Sequence, residues 1–160
     1  MAWYAKFDGV DGGAQQKDHK NWINLASFNM GGHKAGGGGT GVGRVGGKMH
    51  LEDISMGVIS DKSLPKLLEG AVKGKVYPKV EIHGTATYND SGEQIYLAIE
   101  LKNTQITSYQ LGVLDNDAAT DDMSMSLNFE EYKLTSTEYK KDGSKGGNVE
   151  TTWKVEEGET

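Results

Sequence analysis

The residues best suited to chemistry in this chain are few, and their spacing speaks against each reaction they suggest. Gly41-Val42-Gly43-Arg44-Val45-Gly46 fits the G-x-G-x-x-G pattern of a dinucleotide-binding turn. That turn works only between a strand and a helix, where the pyrophosphate meets the free N–H groups of the helix start. Here it lies in a glycine-dense stretch that leads into a strand, so glycine content alone accounts for the match. A phosphate loop fails as well: Lys48 follows Gly47, but Met49 stands where Ser or Thr would bind magnesium, and Val42 takes the first glycine position. His50 and Glu52 are two apart and share a strand face, with Asp53 next to them. A metal centre needs three or four converging ligands, and His19, His33 and His83 are scattered along the chain. There is no cysteine, and no G-x-S-x-G elbow. The carboxylate pairs Glu130-Glu131, Glu156-Glu157 and Asp121-Asp122 are adjacent, so on a strand their side chains point to opposite faces. The reading is of no catalytic residue, no metal and no cofactor.

Composition narrows the class further. The chain has 160 residues, 36% hydrophobic and 25% charged, with a net charge of -6. That is one domain, residues 1–160, with a lean core. The acidic balance excludes a nucleic-acid partner, which needs a basic stripe to displace counterions from phosphate. No run approaches the ~20 apolar residues of a membrane helix. Met1 to Asp8 lacks the basic and apolar regions of a secretory signal, so the protein is expected to start out in the cytoplasm.

The elements that would carry these residues are mostly strands. Trp3–Asp8 reads as a first strand and Asn21–Met30 as a second. In the second, Trp22, Asn24, Ala26 and Phe28 alternate with Ile23, Leu25 and Ser27, so both faces hold apolar groups and one of them is expected to meet a partner surface. Ten of the 17 residues from Gly31 to Gly47 are glycine. Such a segment loses much entropy on ordering and offers little to bury, and is expected to be an extended loop. Strand character returns from Lys48 to Ile59.

One helix is expected between Asp61 and Gly74. Ser63 suits the N-cap, Pro65 the first turn, Gly74 the left-handed close, and Leu64, Leu67, Leu68 and Ala71 make one apolar stripe. A hairpin follows: Val80, Ile82, Gly84, Ala86 and Tyr88 line one face, and Ile95, Leu97, Ile99 and Leu101 line the other strand, with a turn at Asn89-Asp90-Ser91-Gly92. A further strand is read over Thr104–Leu114, and an acidic loop over Asp115–Asp122. Met123, Met125, Leu127 and Phe129 then alternate with polar residues, but the apolar parity slips to Tyr132 and Leu134, as a β-bulge would make it. A turn spans Lys140–Gly147 and a last strand Val149–Val155. The sum is an all-β protein: a β-barrel of about eight strands, one short α-helix packed on it and a long glycine-rich loop.

Several of these segments together resemble the Hcp family, the haemolysin co-regulated proteins of bacterial type VI secretion systems. They are Phe7-Asp8-Gly9-Val10-Asp11-Gly12, Asp18-His19-Lys20-Asn21-Trp22-Ile23, Asp61-Lys62-Ser63-Leu64-Pro65-Lys66-Leu67, Gly74-Lys75-Val76-Tyr77-Pro78, Leu127-Asn128-Phe129, and Lys141-Asp142-Gly143 followed by Trp153. Each is short, but they run in family order over nearly the whole chain. Two departures are a Gly12-Gly13-Ala14 turn and the unusual glycine density of the loop. The resemblance implies a barrel that closes into six-membered rings, which stack as a tube. It implies a tube expelled inside a contractile sheath behind a spike protein, with effectors in the lumen, and secreted without a signal peptide. It places the loop from Gly31 to Gly47 across subunit or ring boundaries.

On this reading the working residues lie at contacts between copies: Trp3 and Tyr4 at an N-terminal edge, Gly36, Gly37, Gly38, Gly39 and Arg44 in the loop, and Asp115 and Asp117 in the acidic loop. Two other classes stay open. A monomeric small-ligand-binding barrel would need an apolar hollow, and an enzyme using the glycine loop for phosphate would be stabilised by nucleotide.

Overall fold

The computed structural model describes residues 1–34, 49–88, 92–112 and 122–155. It opens with β1 (Ala2–Phe7), one 3-10 turn (Lys17–His19), β2 (Ile23–Asn29), β3 (Gly32–His33), β4 (His50–Leu51) and β5 (Ile54–Ile59). Helix α1 (Leu64–Lys73) follows, then β6 (Val76–Thr87), β7 (Glu93–Gly112), β8 (Asp122–Asn128), β9 (Glu131–Tyr139) and β10 (Lys145–Lys154). Among the described residues, no helix is long and apolar enough to cross a membrane.

The expected barrel is present, and its closure has a simple origin. The sheet runs β10-β9-β7-β6-β1-β2-β5-β8, and β8 also pairs with the second half of β7. Six strands, β7, β6, β1, β2, β5 and β8, therefore form a closed antiparallel ring of hydrogen bonds, while β9 and β10 continue the sheet outward from the first half of β7. Closure removes the unpaired edges that an open sheet would expose. The interior is filled by Phe7, Ile23, Ile54, Ile82, Ile99, Leu101, Met123 and Leu127, each essentially without solvent contact.

Three details differ from what periodicity predicts. First, β7 is one strand of 20 residues where the sequence suggests two. It bends at Asn103, whose φ of 49° lies in the left-handed region. The inward parity changes there: Ile99 and Leu101 are buried before the bend, Thr104 and Ile106 after it. The neighbouring strands change parity at the same level, from Leu127 and Phe129 to Tyr132 and Leu134. No bulge does this. Lys102 faces Glu131 and Gln105 faces Asn128, so two residues separate the pairs on each side and none is inserted. The slip at Tyr132 is a corner that both strands turn together. It is fastened by the Glu130 N–H to the Lys102 carbonyl at 3.1 Å and by Asn103 Nδ2 to Glu130 Oε2 at 2.8 Å.

Second, Phe28 does not share a face with Trp22. The register against β5 shifts between Leu25 and Ser27, so the bulge at Ala26 returns Phe28 to the side of Ile23 and Leu25. Phe28 stacks on Trp3 with ring centroids 5.3 Å apart, whereas Trp22, just before β2, packs on the outer side against His19 and His83. Third, Ser63 occupies the N-cap of α1 but makes no side-chain capping bond. Asp61 instead holds the turn that precedes the helix: its Oδ1 accepts from the Ser63 N–H at 2.7 Å and from the Ser63 hydroxyl. The other end is as expected, with Gly74 at φ 67° and the Lys75 N–H bonded to the Gly70 carbonyl at 2.9 Å. At the strand ends, β6 begins at Val76 and β10 at Lys145, each four residues before the predicted starts at Val80 and Val149.

Candidate functional site

Two surfaces of the described residues stand apart from the rest, and both follow from strand register. Side chains alternate across a strand, so the inward Ile54, Met56 and Val58 leave Ser55 and Gly57 facing out on β5. Likewise Met123, Met125 and Leu127 leave Ser124, Ser126 and Asn128 facing out on β8. Register then aligns these positions across four strands. Asn29 faces Ser55, Ser55 faces Ser126, and Ser126 faces Ser108. One step along, Ser27 faces Gly57, Gly57 faces Ser124, and Ser124 faces Gln110. The result is two ranks of small, uncharged polar groups on the outer wall of the barrel. They line a shallow groove of about 340 Å³.

The chain has 17 basic and 23 acidic residues, yet none of the described residues lining this groove is charged. Its lower border is Asp53, which is tied down by the Thr107 hydroxyl at 2.7 Å and by Asn128 Nδ2 at 3.1 Å. Ser124 and Ser126 alternate visibly with methionines in the sequence, but their alignment with Ser27, Ser55 and Ser108 does not show there.

The second surface is the β9–β10 flap. Neither strand has a fully buried residue. β10 pairs with β9 on one side, and its other edge meets no described strand. Val149 on this edge is 76% exposed. The flap is held internally by Lys133 to Glu150 at 3.4 Å and by the Thr137 hydroxyl to Asn148 at 3.0 Å.

The residues expected at contacts are placed as follows. β1 lies between β2 and β6, so Trp3 and Tyr4 are on a central strand and not on an edge. Trp3 points along the inner face at one mouth of the barrel. It stacks on Phe28, meets Tyr96 edge-on at 6.0 Å, and lies so close over Gly84 that a Cβ there would stand 2.7 Å from its ring. Tyr4 points outward but is 6% exposed, covered by the segment around the 3-10 turn. Its ring stacks on His19 at 4.6 Å, and its hydroxyl donates to Glu93 Oε1 at 3.1 Å. Burial, and then the bond to the Glu93 carboxylate, push that hydroxyl up to about 12. Gly36, Gly37, Gly38, Gly39, Arg44, Asp115 and Asp117 lie outside the described residues, as does the G-x-G-x-x-G match. His50 faces His33 across the small ribbon, and Glu52 Oε1 lies 3.1 Å from His33 Nδ1. Among the described residues no three such groups converge as metal ligands.

Comparison with known proteins gives a consistent picture. The profile of the family described as "Type VI secretion system effector, Hcp" matches residues 4–136. Protein hcp1 of Pseudomonas aeruginosa is 31% identical over 111 residues, which are 68% of this chain and 66% of that protein. A solved structure of a type six secretion system protein superposes with a TM-score of 0.89 at 20% identity, covering 99% of this chain and 98% of the other. Hcp1 from Salmonella typhimurium superposes at 0.75 with 18% identity, covering 99% and 97%.

Proposed function

The chain belongs to the Hcp family of type VI secretion system proteins, and from that premise we propose that it is a tube subunit whose copies close into six-membered rings that stack. The observation that carries this reading is the β9–β10 flap: two strands without a fully buried residue, the outer of which has an edge that meets no described strand. A long free edge in a folded protein is a template for pairing and needs cover. A copy of the same chain supplies it, and a heterologous contact that repeats by rotation closes a ring. Among the described residues, the interior of the barrel is occupied by core side chains. That weighs against the reading of a monomeric ligand-binding barrel.

The serine and asparagine face is the wall we assign to the channel. A wall of one charge sign would concentrate oppositely charged cargo and hold it. A neutral, hydroxyl-bearing wall offers cargo of either sign only weak hydrogen bonds. On this reading effectors travel through the lumen, the spike and sheath are partners outside it, and the protein leaves the cell with its tube. No residue turns over a substrate. Electron microscopy and light scattering of the purified protein test the reading. Annular particles of six subunits are expected, and a strict monomer at every concentration would overturn it.

A further inference from the structure

The outer face of β1 and β6 is covered by a strap, the chain between β1 and β2. The strap is folded on itself through Ala14 N–H to the Trp22 carbonyl at 2.9 Å, Asn21 N–H to the Ala14 carbonyl at 2.9 Å and Gly12 N–H to the Asn21 carbonyl at 2.7 Å. Side chains tie it down at three points. Lys6 Nζ on β1 donates to the Val10 carbonyl and to Asp11 Oδ1, each at 2.8 Å. The Gly13 N–H donates to Asp61 Oδ2 at 2.8 Å, beside the start of α1. At the third point, His19 Nε2 lies 2.9 Å from His83 Nδ1 on β6.

The tautomers of this histidine pair are fixed by their surroundings. Gln16 Oε1 accepts the Asp18 N–H at 2.9 Å, which identifies it as the oxygen, and it lies 2.6 Å from His19 Nδ1. His19 Nδ1 therefore carries the proton, because a carbonyl oxygen cannot donate. At neutral pH its Nε2 is then the acceptor, and His83 Nδ1 carries the one hydrogen between the rings. His83 Nε2 is left with a lone pair, 3.8 Å from Glu81 Oε2.

We propose that the His19–His83 bond is an acid-released clasp that holds the strap on the barrel at neutral pH and lets it lift when the pair takes up its second proton. The proton count gives the reason. A first added proton goes to His83 Nε2, facing Glu81, and leaves the bond between the rings intact. A second has only the shared position left, and 2.9 Å between two nitrogens holds one hydrogen. With both rings charged, two N–H groups confront each other and the contact must open.

The groups around the pair set where this happens. His19 is stacked between Tyr4 on β1 and the edges of Trp22 and His83, with Glu93 on β7 and Asp18 in its own turn as the nearby carboxylates. His83 meets Trp22 at 4.6 Å. Glu81 and Lys79 flank it on β6, and Glu100 of β7 and Lys133 and Thr135 of β9 line the small cleft it opens into. Burial outweighs the carboxylates. It holds His19 below the ordinary histidine value, and burial together with the charge of His19 pushes His83 down to about 4. The open strap has ordinary histidines and binds protons more readily than the closed one. The closed form is therefore favoured at neutral pH and loses ground as the pH falls from the usual 6.5 toward about 4. The backbone ladder of the barrel has no part in this titration.

Hydrogen exchange of the full chain decides the matter, read at about pH 7 and about pH 4 after correction for the intrinsic pH dependence of exchange. Amides of the strap, Gly12 to Trp22, should lose protection by about tenfold or more at the lower pH, while amides of β1 and β6 keep theirs. His83→Asn removes one of the two titrating rings, and its side-chain amide can turn to offer His19 Nε2 either a donor or an acceptor, so its strap should lose clearly less protection at the lower pH than the wild-type strap does. The proposal is overturned if the wild-type strap is equally protected at both, if strap and barrel open in one step, or if the His83→Asn strap opens in acid as the wild type does. Should that variant not fold, the wild-type comparison of strap and barrel still decides. None of these outcomes depends on whether rings form.

Discussion

Tyr77 is fully buried, and its hydroxyl has no hydrogen-bond partner among the described residues. The ring is well used: it meets Phe7 edge-on at 5.1 Å and takes the Lys75 ammonium at 5.0 Å from its centre. The hydroxyl is accommodated because residue 70 is glycine, since a Cβ there would run into it. A buried, unpaired hydroxyl costs about 1–3 kcal/mol. Tyr77→Phe is therefore expected to raise stability by about 1 kcal/mol in urea unfolding, and a loss of that size would show that the hydroxyl has a partner after all. Gly70→Ala should cost about 2 kcal/mol by overpacking, and less when combined with Tyr77→Phe. That coupling is the signature of direct contact between the two positions.

At the scale of elements, the corner at Asn103 is what lets one 20-residue strand serve two neighbourhoods. Its first half pairs with β6 and β9, and its second half pairs with β8 and closes the barrel. A φ of 49° is tolerated by asparagine and glycine but strains a β-branched residue by about 1–2 kcal/mol. Asn103→Val is expected to lose that much and the bond to Glu130 besides, whereas Asn103→Gly should lose only the side-chain bond. Equal losses for the two variants in thermal or urea unfolding would mean that the bond, and not the backbone, fixes the corner.

For the whole molecule, the free edge of β10 makes a prediction that separates folding from assembly. Val149 is exposed, so Val149→Lys should change subunit stability by less than about 0.5 kcal/mol. A lysine on an edge strand opposes edge-to-edge pairing. The variant should therefore shift the population from rings toward single subunits in light scattering, with its unfolding midpoint unmoved. Rings unaffected by the lysine would place the contact elsewhere on the surface.

The sequence by itself determined the class of fold, the helix with its Gly74 close, the strand faces of β6 and β8, and the family through short segments in a shared order. These are local properties: alternation at period two, glycine where φ is positive, and an apolar stripe at helical spacing. Only the tertiary structure decided which way Phe28 points, because a bulge at Ala26 reverses parity and leaves no local mark. It also decided that Tyr132 follows a corner, since that depends on the pairing of β7 with β8 and β9. The serine ranks and the His19–His83 clasp unite residues far apart in the chain, up to 64 positions for the two rings. Such neighbours are chosen by cross-strand register, which the packing of the whole barrel fixes and no window of sequence contains.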